Sequence, residues 1–311
     1  MYDFRTDMAD ERIDIFKEKN SKLEQIEGID VNIKEKESYK ITSVKVLNKK
    51  GEIAIGKPIG NYITIDIKNI KYSTDTEIEK YGDVVSEELK KIIDFNCNKS
   101  DEILVVGLGN IYVTPDSLGP KVINEIDVTR HILKYMPNML DKETRMVSAI
   151  SPGVLGTTGM ETLEIIEGIV KNVNPKLIIV IDALASRSID RISSSIQISD
   201  TGIIPGAGVE NARKELSKNT LNIPVIAIGI PTVVESAVLV NDCLRLFIGK
   251  LQEKSNSNEY LNKLKEKDNY EEIKESLIPN KYNMIVTPKE IDELIENMKD
   301  IVSRGINYAV N

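Results

Sequence analysis

The stretch VVGLGNIYVTPDSLGP, residues 105–120, decides how the chain reads. An apolar run enters Gly107 and Gly109 as a buried strand enters a phosphate-binding turn. A dinucleotide fingerprint would next require glycine at 112, and that position is Tyr112. Asn110, Pro115 and Asp116 follow instead, and then Gly119 and Pro120. Two roles stand open for Asp116. It caps the helix that Pro120 can open near its first turn, or it is a functional group carried by a loop at the end of a strand.

Outward from this stretch, short apolar runs alternate with helical segments. EILVVGLG (102–109), KLIIVIDALA (176–185) and NIPVIAIGIP (222–231) read as buried strands. LGPKVINEIDVTRHILKYM (118–136), GMETLEIIEGIVKNV (159–173) and PTVVESAVLVNDCLRLFIGKL (231–251) read as helices. Strands that are apolar on both faces and separated by helices predict an α/β fold, with a mainly parallel sheet covered by helices on both faces. Residues 39–72 add N-terminal strands around turns at Lys50-Gly51 and Gly56-Lys57-Pro58, and residues 77–95 carry apolar positions at helical spacing. The core is expected over about 100–250, within one domain spanning 8–311. Residues 251–280 are dense in charge and predict a surface helix or insert. Thr287-Pro288-Lys289-Glu290 has capping-box spacing with proline at the first helical position, which predicts a terminal helix over about 288–304.

Composition narrows the chemistry. A chain of 311 residues, 41% hydrophobic and 29% charged, can bury a full core. Its formal net charge of −8 argues against a broad basic surface, so no direct nucleic-acid partner is expected. There is a single histidine, His131, in a segment that reads as a helix surface, and two cysteines, Cys97 and Cys243, far apart in sequence. Neither a metal site nor a histidine-based triad is expected from that inventory, and no cofactor is implied. A charged N-terminus and the lack of any run approaching ~18 apolar residues predict a soluble intracellular protein without a membrane span.

Ligands of an open α/β sheet meet the carboxyl ends of the parallel strands. Asp182 stands there, closing the run LIIVI with no turn between, and its alternative role is to cap the next turn. Asp116 stands there on its loop. Glu235 has capping-box spacing from Thr232, a structural role. Asp200-Thr201-Gly202 is the triplet of pepsin-type proteases, but it occurs once and within an α/β pattern, so it reads as a turn, with Asp200 an accessory carboxylate. Two rim carboxylates without a usable histidine point to aspartyl acid–base chemistry.

The stretches GLGNIYVTPDSLGPKV, VTRHILKYM, SAISPGVLGTTGMETLEII, IDALASRSIDRISSSIQISDTGIIPGAGV and GIPTVVES, between about 105 and 236, resemble the germination proteases of spore-forming bacteria. GKPIGNYITIDI and RTDMADE extend the likeness toward Met1. The resemblance implies an atypical aspartic endopeptidase that degrades small acid-soluble spore proteins in the forespore or spore-core cytoplasm. Its core would be similar to that of hydrogenase-maturation endopeptidases, and Asp116 and Asp182 would be its catalytic pair. It also implies a homotetramer made as a zymogen that trims its own N-terminus. Asp7-Met8-Ala9-Asp10-Glu11 follows the order of the spore-protein target (acidic, large apolar, Ala, any residue, Glu). Cleavage is therefore expected between Asp7 and Met8, leaving residues 1–7 as the prosegment. Asn110, Asp200 and Glu235 stand as accessory residues; Glu235 occupies a position where a shorter carboxylate is expected. Backbone N–H groups of the 107–110 turn are expected to stabilise the oxyanion. Two other readings remain: a peptidyl-tRNA-hydrolase-like enzyme, which shares a GLGN-like start but wants a histidine near that loop, and a nucleotide-binding regulatory module, against which Tyr112 counts.

Overall fold

The computed structural model describes residues 6–19, 26–141, 143–207, 213–254, 273, 275, 276 and 284–311. Of the expected prosegment only Thr6 and Asp7 belong to the described residues, and most of the 251–280 segment lies outside them. Among the described residues the elements are, in chain order, α1 (Ala9–Lys19), β1 (Ile29–Glu35), β2 (Tyr39–Val46), α2 (Lys49–Ile55), β3 (Gly60–Ile67), α3 (Asp75–Asn96) and β4 (Ile103–Gly107). There follow α4 (Leu118–Ile123), α5 (Arg130–Tyr135), β5 (Val147–Ile150), α6 (Leu155–Thr158), α7 (Thr162–Val173) and β6 (Leu177–Ser186). The chain closes with β7 (Ser195–Ser199), α8 (Lys218–Leu221), β8 (Val225–Glu235), α9 (Ser236–Lys254), β9 (Ile285–Val286) and α10 (Ile291–Val310).

One sheet joins all these strands in the order β1-β2-β3-β7-β8-β6-β4-β5, with β9 beside the end of β8. The half from β8 to β5 is parallel and is the α/β core that the apolar runs predict. β1, β2, β3 and β7 extend it antiparallel. One face packs Ile65, Val105, Ile179, Ile198 and Ile228 against α3, α4 and α10 in the largest core. The opposite face carries two smaller cores. Ile178 and Val180 lie with Ile166 of α7, while Val44, Val46 and Tyr62 lie with Ala9 and Ile13 of α1 and Ile55 of α2.

Four local expectations change. The helix expected over 118–136 is two helices, because the chain at Thr129 bonds to the sheet edge: Thr129 N–H donates to the Val147 carbonyl (3.1 Å), and Val147 N–H donates to Thr129 Oγ1 (2.8 Å). The Lys50-Gly51 turn is the start of α2, where Asn48 Oδ1 accepts the N–H groups of Lys50 and Gly51. Thr232 and Glu235 form no capping box. β-branched Thr232, Val233 and Val234 prolong β8, where Val233 and Val234 pair with β6, and Val234 and Glu235 with β9. The terminal helix begins at Ile291 rather than 288, since Thr287 Oγ1 donates to the Thr232 carbonyl (2.9 Å) instead of capping. It runs on to Val310 because its buried stripe continues through Ile301, Ile306 and Val310.

Candidate active site

β4 ends against β6 with Gly107 opposite Ile181, one residue short of Asp182. β6 itself continues to Ser186, so Asp182 lies within a strand rather than closing one. Its neighbour on the β4 side is therefore the loop that carries Asp116. Two close approaches hold that loop down. A Cβ on Gly107 would stand 2.2 Å from the Gly119 carbonyl oxygen, and one on Gly109, whose φ is +112°, would stand 2.0 Å from the Asp116 carbonyl oxygen. Asp116 is not a helix cap: α4 has Ser117 at its N-cap position with no side-chain capping bond, and Ser117 Oγ donates instead to the Thr114 carbonyl (2.8 Å). The Asp116 carboxylate turns back instead, and Oδ2 accepts the Asn110 N–H at 2.8 Å. The Asn110 side chain braces the same turn by accepting the Tyr112 N–H at 3.0 Å.

Asp116 and Asp182 line one cavity of about 300 Å³ together with Asp7, Leu108, Gly109 and Thr232. Asp182 is buried, and its Oδ1 accepts the Ala183 N–H at 3.0 Å. Burial pushes its carboxyl well above the ordinary aspartate value, and the charges of Asp116 and Asp7 push it further the same way. Burial also raises Asp116, with the Asn110 N–H opposing. Asp7 is raised by burial too, against the cation of Lys57, the N–H of Ala185 and the cation of Arg12. Carboxyls displaced upward in one pocket favour holding a proton among them, the condition under which one acts as acid while another acts as base.

The N-terminal segment enters this cavity beside the end of β6. Asp7 N–H donates to the Ala185 carbonyl (3.1 Å), and Ala185 N–H donates to Asp7 Oδ2 (3.1 Å). The Asp7 carbonyl accepts from Lys57 Nζ (2.7 Å) and Gln197 Nε2 (3.1 Å), and Gln197 Oε1 accepts the Ala9 N–H (2.7 Å). Met8 and Ala9 are fully buried. Downstream, Arg191 pairs with Asp10 (2.7 Å) and Glu11 (3.6 Å), while Thr6 Oγ1 donates to the Glu11 carboxylate.

The remaining sequence candidates lie elsewhere. Asp200 accepts from the backbone N–H and side-chain amide of Asn61 (2.8 and 2.6 Å), a clamp between β7 and β3. Glu235 is buried at the end of β8, opposite Ile285. His131 is exposed on α5. The expected oxyanion donors of the glycine turn are partly committed already: Leu108 N–H donates to the Ile181 carbonyl (2.8 Å) and Asn110 N–H to Asp116. Among the described residues no group of three His, Cys, Asp or Glu converges to hold a metal ion.

The family model described as germination protease (Peptidase_A25) matches residues 6–264 and 248–311. The chain belongs to the germination protease family. It is 47% identical to a germination protease of Clostridium acetobutylicum over 100% of this chain and 96% of that one. It is 45% identical to one from Caldanaerobacter subterraneus, over 98% and 94% of the two chains, and 40% identical to one from Bacillus cereus, over 100% and 94%. A solved structure, a [NiFe] hydrogenase maturation protease HycI from Thermococcus kodakarensis, aligns with 45% of this chain and 80% of its own at 17% identity and a TM-score of 0.29. Family membership supports a peptidase role in spore germination.

Lys57, Gln197 and Arg191 escaped sequence reasoning. Gln197 takes the polar place in the alternation Ser195-Ile196-Gln197-Ile198-Ser199, as in any half-buried strand, and Lys57 in GKPIG reads as an ordinary turn lysine.

Proposed function

We propose that the chain is an aspartic endopeptidase, made as a self-processing zymogen, in which Asp116 and Asp182 share a proton and bind a water molecule between them. One carboxylate takes a proton from the water as it attacks the peptide carbonyl, and the other delivers a proton to the leaving amine. The observation that carries this reading is that half-buried Asp116 and buried Asp182 line one cavity just beyond the end of β4, with Asp7 in the same cavity. The segment Asp7–Glu11 acts as the internal substrate, cut between Asp7 and Met8. Small acid-soluble spore proteins are the substrate in trans, the working assembly is a homotetramer, and the setting is the forespore or spore core. Among the described residues no helix is long and apolar enough to cross a membrane.

The test is intact-mass spectrometry before and after mildly acidic incubation of the wild type, Asp116→Asn and Asp182→Asn, with a small acid-soluble spore protein added. The wild type is expected to lose residues 1–7 and to cut the added protein, and each folded variant to do neither. Cleavage by either variant would remove that aspartate from the dyad.

A further inference from the structure

A peptide hydrolase of this design needs donors at the oxygen of the bond being cut, and the glycine turn has little to offer. The structure presents donors elsewhere. The carbonyl of Asp7 is held by a lysine ammonium from the turn after α2 and a side-chain amide from β7. Sheet register sets where these groups stand relative to the acid pair. Asp182 pairs with Gly229, Gly229 with Gln197, and Gln197 with Thr64, so Asp182 and Gln197 project from one face along a single cross-strand row. Gly229 between them has no side chain. The two are separated by two strand spacings, ~10 Å, which leaves room for an extended peptide over the glycine.

We propose that Lys57 and Gln197 form the carbonyl-binding site of the protease, polarising the peptide bond that Asp116 and Asp182 hydrolyse. The proposal rests on the aspartyl reading above and assigns two further catalytic residues to it. Water adds to the Asp7 carbonyl carbon, and the carbonyl π pair moves onto oxygen, where the donors on Lys57 Nζ and Gln197 Nε2 meet the new negative charge. The water's proton passes to one aspartate. The bond between the Asp7 carbon and the Met8 nitrogen then breaks, the carbonyl re-forms, and the nitrogen leaves with a proton from the other aspartate. The products are a carboxyl at Asp7 and an amine at Met8.

Gln197 adds a second element. Its amide donates to the residue 7 carbonyl and accepts from the residue 9 N–H, so one side chain spans the scissile bond and fixes the position of the segment. Both contacts are to main chain, which any peptide offers, so the same site serves a substrate in trans. Ala9 sits fully buried beside Val44 and Tyr62, which fits a small residue two places after the preceding acid. Burial pushes the Lys57 ammonium below the ordinary lysine value, the Asp7 charge opposes this, and an ammonium so enclosed is a strong donor to a developing oxyanion.

The experiment follows self-trimming of the full chain by intact mass for wild type, Lys57→Met, Gln197→Glu, and Asp116→Asn as reference. Trypsin cutting after Arg12, whose Nε donates to the Thr6 carbonyl at 3.2 Å, reports in parallel whether the N-terminal segment stays docked. Gln197→Glu keeps the acceptor for Ala9 and loses the ordinary donor, so it decides the matter if Lys57→Met does not fold. The expected result is trimming slowed about 10²-fold or more in both variants, the loss typical of one oxyanion donor, with Arg12 still protected. Trimming within threefold of wild type overturns the assignment. So does slow trimming accompanied by a newly exposed Arg12, which would make the pair an anchor only. If the wild type itself never cuts at Asp7–Met8, or Asp116→Asn still does, the aspartyl reading fails and the carbonyl site falls with it.

Discussion

Asp182→Asn is expected to stabilise the folded chain at neutral pH and to lose that advantage as the solution is acidified. Asp182 is buried, and its carboxyl is pushed up first by burial and then by Asp116 and Asp7. A carboxyl raised on folding binds more protons in the folded state than in the unfolded one. Folding then gains from acid: the contribution is complete below the unfolded aspartate value and is lost as pH rises through the folded one. Asparagine resembles the protonated acid and titrates in neither state. Each unit of upward displacement is worth ~1.4 kcal/mol at a pH above both values. Each kcal/mol moves the Tm of a domain of this size by ~2–4 °C. The variant should therefore melt several degrees above wild type near neutrality, and the gap should close toward pH 4. Thermal unfolding by circular dichroism across that range, on samples whose mass is confirmed as full-length, measures it. Equal or lower Tm for the variant at neutral pH, or a gap that ignores pH, would refute the account of a strained acidic cavity.

Two other substitutions separate loop geometry from acid chemistry. Gly109→Ala places a methyl 2.0 Å from the Asp116 carbonyl oxygen at a φ of +112°, so it should cost ~1–3 kcal/mol and slow self-trimming by displacing Asp116, read by Tm and intact mass together. Asp200→Asn weakens the clamp on Asn61 and should cost ~1 kcal/mol or more in chemical denaturation, while trimming stays within a few-fold of wild type; a loss as deep as that of Asp116→Asn would bring Asp200 back as a third working carboxylate.

How far the sequence could be read depended on whether the deciding interaction was local. Tyr112 where glycine was required, and a carboxylate closing LIIVI, singled out Asp116 and Asp182 without any tertiary information, and the structure brings the two to one cavity. The continuous apolar runs likewise exposed the parallel core. What escaped depended on contacts between distant segments. Thr232 and Glu235 satisfy a helix-start pattern, but the β-branched residues between them also suit a strand, and the waiting edges of β6 and β9 decided in favour of the strand. That Asp182 lies mid-strand followed from the pairing of residues 182–186 with β8, a property of the pairing and not of either segment. Lys57 and Gln197 meet only at the backbone of a third segment, so neither carries a pattern of its own.

On the proposed reading, the architecture would let the Asp7–Met8 bond be cut without the fold coming apart. The face of the sheet that bears Asp182 is covered by two small cores, one under α7 and one under α1 and α2, and the Asp182–Gly229–Gln197 row runs toward the second. The N-terminal chain crosses this ground as both occupant and wall. Asp7 is held by the backbone of Ala185; from Ala9 onward the chain belongs to the core through Ala9 and Ile13, and Arg191 grips Asp10 and Glu11. The Asp7–Met8 bond is the join between these two modes of attachment. Hydrolysis there would release the side that occupies the acidic cavity and keep the side that α1 needs for packing. Departure of Asp7 would also remove one of the charges that raise Asp182. The cut would thus open the cavity and relax its electrostatics in the same step.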